Sequence, residues 1–137
     1  MTDASLPAAA GPVRLCIPPD AALSRVLRMT VGAMASIGAF TLDEIDDVKI
    51  AMSEVLIALI EHGDQSDLDI TLELDGAEFT IVGTTGGGNV DLAHPDLVLC
   101  RTVLDGVSAA HSITTEDDRL SIRAVLCARS TEPHAAV

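Results

Sequence analysis

The sequence predicts a two-layer α/β (α+β) sandwich, in which three helices cover one face of a mainly antiparallel sheet. Two observations predict this fold. Residues 41–63 carry apolar side chains at helical spacing, which is typical of a long helix that packs on a larger surface. After this helix the apolar period changes to two, and the whole order becomes strand, helix, helix, strand, strand, loop, helix, strand, strand.

A short strand and a helix are predicted before the long helix. Residues 13–17 alternate in polarity, and two prolines close the strand. Asp20 is a helix cap and Gly38 ends the helix. Arg25 and Arg28 share one flank, where they either pair with nearby carboxylates or contact a partner protein. Five residues form the predicted apolar side of this helix: Leu23, Val26, Leu27, Val31 and Met34.

The long helix has clear start and stop signals. Thr41 and Glu44 have the spacing of a capping box, and Phe40 is positioned to pack on Ile45 across the cap. Gly63 ends the helix. The predicted buried stripe consists of Ile45, Val48, Met52, Val55, Leu56 and Leu59.

An acidic stripe lies on another side of the same helix. Asp47, Glu54 and Glu61 recur at heptad spacing, and the stripe is either a solvated surface or a place for chemistry. Glu54, Glu61 and His62 are a cluster of metal-ligating residue types. Glu54 and Glu61 share a face, but His62 is rotated by about 100° from Glu61, so all three do not converge from one helix. The sequence therefore predicts no metal site.

A hairpin and a loop follow. Residues 68–74 alternate between apolar and polar side chains, as a strand with one buried face requires. Asp75 and Gly76 predict a tight turn, and residues 77–82 return as the next strand. Residues 83–93, which are rich in glycine and show no periodicity, are predicted to form a flexible loop.

The last third of the chain predicts a helix and two strands. Pro95 suits the first position of the helix and His94 its cap. A short strand surrounds Ile113, residues 116–118 form a turn, and residues 120–126 form the last strand. The predicted apolar positions of the helix are Leu97, Val98, Cys100, Leu104 and Val107.

Composition excludes several classes of protein. The 137 residues are 48% hydrophobic, which predicts one folded domain at 12–128 between disordered tails at 1–11 and 129–137. A net charge of −13 disfavours direct nucleic-acid binding and favours a basic protein partner. No run of apolar residues reaches membrane-spanning length, and we expect a cytoplasmic protein. Three cysteines are predicted to be reduced core thiols: Cys16, Cys100 and Cys127.

Three strings resemble the small bacterial anti-sigma factor kinases of the RsbW and SpoIIAB type, which belong to the histidine-kinase-like (GHKL, Bergerat) ATPase superfamily. The long helix is similar to the family pattern L-K-x-A-x-S-E-A-x-x-N-A-x-x-H at residues 48–62. Residues 97–107 are similar to the family helix that follows the ATP lid, and residues 79–88 lie where the family strand enters its D-x-G-x-G loop. The resemblance covers about residues 15–126 and implies the Bergerat fold.

The resemblance also implies where a nucleotide site has changed. In the family, the helix glutamate is a general base, and an asparagine one turn later holds the magnesium ion that bridges the triphosphate. Glu54 stands at the base position, but Ala58 stands at the asparagine position. A methyl group cannot ligate magnesium.

Two further family positions are altered. The aspartate that accepts the adenine amino group falls at Thr84, while Gly86 and Gly88 keep the loop glycines. The phosphate-binding lid falls at residues 94–97, where Pro95 removes a donor and Asp96 adds a negative charge. The resemblance thus implies a degenerate ATP site with no ATP or magnesium cofactor.

The function that the resemblance implies is a non-catalytic anti-sigma-factor-like regulator. It binds a sigma factor, a STAS-domain antagonist or both, as a homodimer, and Arg25 falls where a family arginine contacts partners. One alternative is an active serine kinase that phosphorylates a STAS-domain antagonist, with Thr84 for adenine and Glu54 for magnesium. Another is a dimer scaffold with unrelated partners.

Overall fold

Five strands and three α-helices make up residues 11–129, the part of the chain that this computed structural model describes. The predicted tails at 1–11 and 129–137 lie outside the described residues, apart from Gly11 and Arg129. The helices are α1 (Ser24–Ala35), which a short 3-10 helix (Ala21–Leu23) precedes, α2 (Leu42–His62) and α3 (Pro95–Val107). The strands are β1 (Val13–Ile17), β2 (Leu68–Asp75), β3 (Glu78–Gly86), β4 (Ala110–Glu116) and β5 (Arg119–Cys127).

The strands form one antiparallel sheet in the order β1-β2-β3-β5-β4. Alternate side chains of each strand point to the helices, because successive residues of a strand face opposite sides. On β2 the buried set consists of Leu68, Ile70, Leu72 and Leu74. The helices cover this face only, so the predicted two-layer sandwich is confirmed.

The α2 helix is built around the predicted capping box. The Glu44 N–H donates to Thr41 Oγ1 (3.2 Å), and the Thr41 N–H donates to Glu44 Oε1 (2.9 Å). All six residues of the predicted apolar stripe are buried. Although α2 has 21 residues, no helix within residues 11–129 is both long and apolar enough to cross a membrane.

Two tight turns close the hairpins. The β2–β3 turn is Gly76-Ala77, one residue later than predicted, with Gly76 at φ +61°. Asp117 and Asp118 connect β4 to β5 with φ values of 54° and 61°. Aspartate tolerates this left-handed region better than most residues, because its short polar side chain bonds locally.

The prediction that residues 83–93 form a loop is wrong at its start, since β3 continues to Gly86. Gly83 allows α2 to pack directly on the strand: a Cβ there would lie 2.6 Å from Leu59 Cδ1 and 2.9 Å from Val55 Cγ1. Thr85 is fully buried, and its hydroxyl donates to backbone oxygens of the α2–β2 connection. The strand pattern was missed because glycine replaces an apolar residue on the buried face.

Some predicted core residues lie at the surface. In α1 the buried residues are Leu27, Val31 and Ala35, spaced four apart, which turns Val26 outward. Val98 of α3 is also exposed. Among the three free cysteines only Cys100 is buried, while the other two lie on the sheet: Cys16 and Cys127.

Candidate functional site

The outer side of α2 and the first half of α3 enclose a small cavity of about 30 Å³. Glu54, Ala58 and Glu61 line it from α2, and Asp96 and Cys100 line it from α3. These residues meet because α3 packs beside α2, with α2 lying over β3 and β5 and α3 in contact with β4. The cavity therefore brings together Glu54, Ala58 and Asp96, which the family resemblance places at the base, metal and lid positions.

The Glu54 carboxyl lies in an unfavourable electrostatic environment. Burial raises the pKa of Glu54 above its usual value, and the negative charge of Glu61 raises it further. Burial also raises the pKa of the neighbouring Cys100 thiol to about 11, with a contribution from the charge of Glu54. No lysine or arginine is among the described residues that line this cavity. Glu54 thus takes up a proton more readily than a free carboxyl.

Replacing Glu54 by glutamine is expected to stabilise the protein at neutral pH. Folding raises the pKa of Glu54, so the folded protein binds more protons at this group than the unfolded protein does. The free energy of unfolding of the wild type therefore falls as the pH rises from the unfolded pKa, about 4.3, through the higher folded pKa. The gain in E54Q is at most about 1 kcal/mol after solvent screening, since Glu54 is only partly buried. Urea unfolding at pH 4 and pH 8 measures the difference.

The matched control for this prediction is Glu73→Gln. Glu73 is exposed on the helix-free face of the sheet, and its replacement changes the net charge equally. If E73Q gains as much stability as E54Q at pH 8, the effect is general charge reduction, and the local origin is refuted.

The lid position is occupied by a carboxylate. Asp96 lies in the first turn of α3, and its Oδ2 is 3.6 Å from Nε2 of His62 at the end of α2. His94 caps α3 by accepting the Asp96 N–H at Nδ1 (3.1 Å). One backbone donor of this helix end is thus already used, and Pro95 has none.

Thr84 lies away from these groups. Gly83 and Thr85 of β3 face α2, so Thr84 faces the other side of the sheet. There its hydroxyl accepts from Arg119 Nη2 (2.9 Å), and the same nitrogen lies 3.1 Å from Asp69 Oδ2. The sheet itself separates Thr84 from Glu54, and the structure does not bring the two together.

Gly86 and Gly88 pack closely against neighbouring aspartates. A Cβ at Gly86 would clash with the Asp64 carboxylate, and one at Gly88 would clash with Asp118. The glycine run is thus held between the α2–β2 connection and the β4–β5 turn. These contacts explain the glycines without a bound phosphate.

An open cleft of about 480 Å³ lies beside the glycine run. The Gly86 N–H donates to Ser66 Oγ (3.3 Å) and the Gly87 N–H donates to the Asp118 carbonyl (2.9 Å), so neither is free for a phosphate. The lining carries two carboxylates and no lysine or arginine. It consists of His62, Gly63, Asp64, Gly87, Gly88, Asn89, Val90 and Asp118.

These residues do not fit magnesium and a triphosphate. Ligand pockets usually measure about 300–1,000 Å³, so the cavity at Glu54 is far too small, and Ala58 offers no oxygen. The larger cleft has the volume but not the charge, since Asp64 and Asp118 repel phosphate.

The α1 surface combines cationic and apolar side chains, and we define it by Arg25, Val26, Arg28 and Met29. Val26 is 51% exposed and Met29 68% exposed. Arg28 donates to Ser24 Oγ (3.0 Å), and within residues 11–129 neither arginine forms an ion pair with a carboxylate. Pairing with nearby carboxylates, one of the two alternatives for these arginines, is therefore not observed.

One cluster of metal-ligating residue types is not predicted by the sequence patterns. His62, His94 and Asp96 each place a potential ligand atom within 4.8 Å of the others. The sequence contains part of the information, because His62 is at the end of one predicted helix and His94 and Asp96 are at the beginning of another. Only the packing of α2 against α3 joins them.

The fold and the cavity define a class of protein: an antiparallel sheet covered on one face by helices, with acidic side chains between its second and third helices. No protein-family model matches the chain. No curated protein matches it in sequence.

Two solved structures share the fold. The first contains the RsbU and RsbW domains of Rv1364c from Mycobacterium tuberculosis, with a TM-score of 0.66 and 17% identity over 90% of this chain. This chain corresponds to 35% of the length of that protein. The second is the SiaB-SiaC complex from Pseudomonas aeruginosa, with a TM-score of 0.58 and 13% identity over 83% of this chain and 89% of that one. These likenesses confirm the fold that the sequence resemblance implies.

Proposed function

We propose that the protein is a non-catalytic regulator of transcription that binds a sigma factor, a STAS-domain anti-sigma antagonist or both. It acts in the cytoplasm as a homodimer. The observation that carries the proposal is the acidic cavity of about 30 Å³ between α2 and α3, in a chain with an RsbW-type fold. Phosphoryl transfer depends on metal, positioning and charge stabilisation, and the residues of this cavity supply none of them.

The α1 surface supports a protein-binding role. Exposed apolar side chains beside arginines that form no ion pair within residues 11–129 are the composition of protein interfaces, where arginine and methionine are enriched. The net charge of −13 favours a basic partner such as a transcription factor, because opposite charge accelerates encounter. The fold also occurs in the SiaB-SiaC complex, in which two different proteins assemble.

A serine kinase is the second candidate function. Glu54 remains at the general-base position, and the cleft beside the glycine run has the volume for a nucleotide. In this case the protein phosphorylates a serine of its STAS-domain partner.

Calorimetry with Mg-ATP separates the two candidates. We expect no detectable heat, because the described lining of both cavities is acidic and lacks lysine and arginine. An ATP-binding kinase of the same fold is the positive control. Micromolar binding, together with phosphate transfer to a serine that Glu54→Gln abolishes, would instead establish the kinase.

Co-purification of the tagged chain from its own host tests the partner. Recovery of a sigma factor or a STAS-domain protein supports the proposal. Recovery of neither, with other proteins bound, favours the scaffold with unrelated partners. Sedimentation of the purified chain tests the homodimer.

A further inference from the structure

A compact group of metal-ligating side chains lies where the end of α2 meets the beginning of α3. His62 is the last residue of α2, His94 is the cap of α3 and Asp96 lies in its first turn. The Asp96 Oδ2 lies 3.6 Å from His62 Nε2 and 3.8 Å from His94 Nδ1. The two imidazole rings are 4.9 Å apart between centroids.

His62 lacks a partner for its buried ring nitrogen. Its side chain is 13% exposed, and Nε2 is buried without a hydrogen bond among the described residues. A buried polar atom without a partner is unfavourable, because it has lost its bonds to water. This nitrogen points to the Asp96 carboxylate, 3.6 Å away. A ligand that binds the nitrogen would therefore lie between His62 and Asp96.

The spacing is close to that of a metal site. In tetrahedral zinc sites, bonds of about 2.0–2.1 Å place neighbouring ligand atoms about 3.4 Å apart. Two of the three distances between ligand atoms, 3.6 Å and 3.8 Å, exceed this by only a few tenths of an ångström, and all three atoms lie within 4.8 Å of one another. Asp96 is 59% exposed, so its carboxylate has the freedom to close that difference.

The surroundings favour a cation. Glu54 and Glu61 line the adjoining cavity, and Asp64 lies on the other side of His62, while no lysine or arginine is among the described lining residues. Two imidazoles with one carboxylate suit zinc and similar transition metals, whereas magnesium and calcium prefer oxygen ligands.

We propose that His62, His94 and Asp96 bind one divalent transition-metal ion of the zinc type, which joins the C-terminal end of α2 to the N-terminal end of α3. Three protein ligands leave the fourth position of a tetrahedral ion to solvent. The His94 Nδ1 lone pair now accepts the Asp96 N–H, so coordination through that atom replaces the helix cap by the metal. This proposal does not depend on the proposed regulatory function.

Calorimetry with zinc chloride on the tag-free, chelator-treated protein tests the site. We expect one zinc ion per chain. In H62Q and in D96N we expect the zinc affinity to fall by about 100-fold, which is the upper end of the loss seen when a group that supports a metal ligand is changed. Asp96 is exposed, so D96N keeps the test decisive if H62Q does not fold. Circular dichroism of each variant checks folding.

Two controls exclude other ligands. His111 is a mostly buried histidine that pairs with Asp105 near the C-terminal end of α3, whereas Asp96 lies in the first turn of that helix, and H111Q is expected to bind zinc as tightly as the wild type. A C16S/C127S variant removes the exposed thiols and is also expected to bind normally. Absence of zinc binding, equal affinity in D96N, or loss of binding in the cysteine variant would overturn the proposal.

Cobalt substitution gives an independent readout. Coordination by nitrogen and oxygen gives weak visible bands without the intense sulfur-to-metal charge-transfer band of a thiolate site. A charge-transfer band in the wild-type protein would place the ion at a cysteine and refute the assignment to His62, His94 and Asp96.

Discussion

Phe79→Ala is expected to lower the free energy of unfolding by about 3–5 kcal/mol. Phe79 is fully buried on β3 beneath α2, and its ring meets that of Phe40 edge to face, with centroids 6.3 Å apart. Truncation removes both the burial of a large ring and the contacts around it, and it leaves a cavity. Urea unfolding followed by circular dichroism measures the change, and an unaltered m value shows that the transition itself is unchanged.

Two variants delimit this effect. Phe79→Leu keeps most of the volume and is expected to cost about 1–2 kcal/mol. Leu42→Ala removes an apolar side chain that is 81% exposed, and we expect a change within about 0.5 kcal/mol. If F79A costs no more than L42A, Phe79 does not lie in the cooperative core.

Arg25→Glu is expected to weaken binding of the sigma factor or STAS-domain partner by about 100-fold, because the acidic group of the partner that faces Arg25 in this interface would then meet a like charge. Arg25 is exposed on the α1 surface and forms no ion pair with a described carboxylate, so the change leaves the fold itself intact. Titration of the partner recovered by co-purification into wild type and variant measures the effect.

The matched control is Arg123→Glu. Arg123 is exposed on β5, on the sheet face that the helices leave uncovered, and its reversal changes the net charge by the same amount. Long-range attraction to a basic partner is therefore equal in both variants, and only the local contact differs. Equal binding by the two variants would refute an interface at the α1 surface.

The sequence was a good guide wherever the determining interactions are local. The Thr41–Glu44 capping box, the apolar stripe of α2 and the alternation of β2 each depend on residues a few positions apart, and all are present in the structure. The fold class followed from these elements, because only a sandwich buries both the helix stripe and one strand face.

The sequence was a poor guide to the extent of β3 and to the directions of its side chains. Gly83 has no side chain, so the alternation of β3 ended too early in the prediction and Gly86 was assigned to a loop. The sequence did not specify the direction of the Thr84 side chain either. This side chain meets Arg119 because β3 pairs with β5 in the observed register. Register is set by neighbouring strands and not by the glycine run itself.

The sequence by itself determined the elements and their order, because capping and periodicity act over a few residues. Only the tertiary structure decided the small size of the acidic cavity at Glu54 and the meeting of His62 with His94 and Asp96. Both follow from how closely α2 packs against α3. The distance between α2 and α3 is set by side chains that are far apart in the sequence, so no local sequence pattern predicts it.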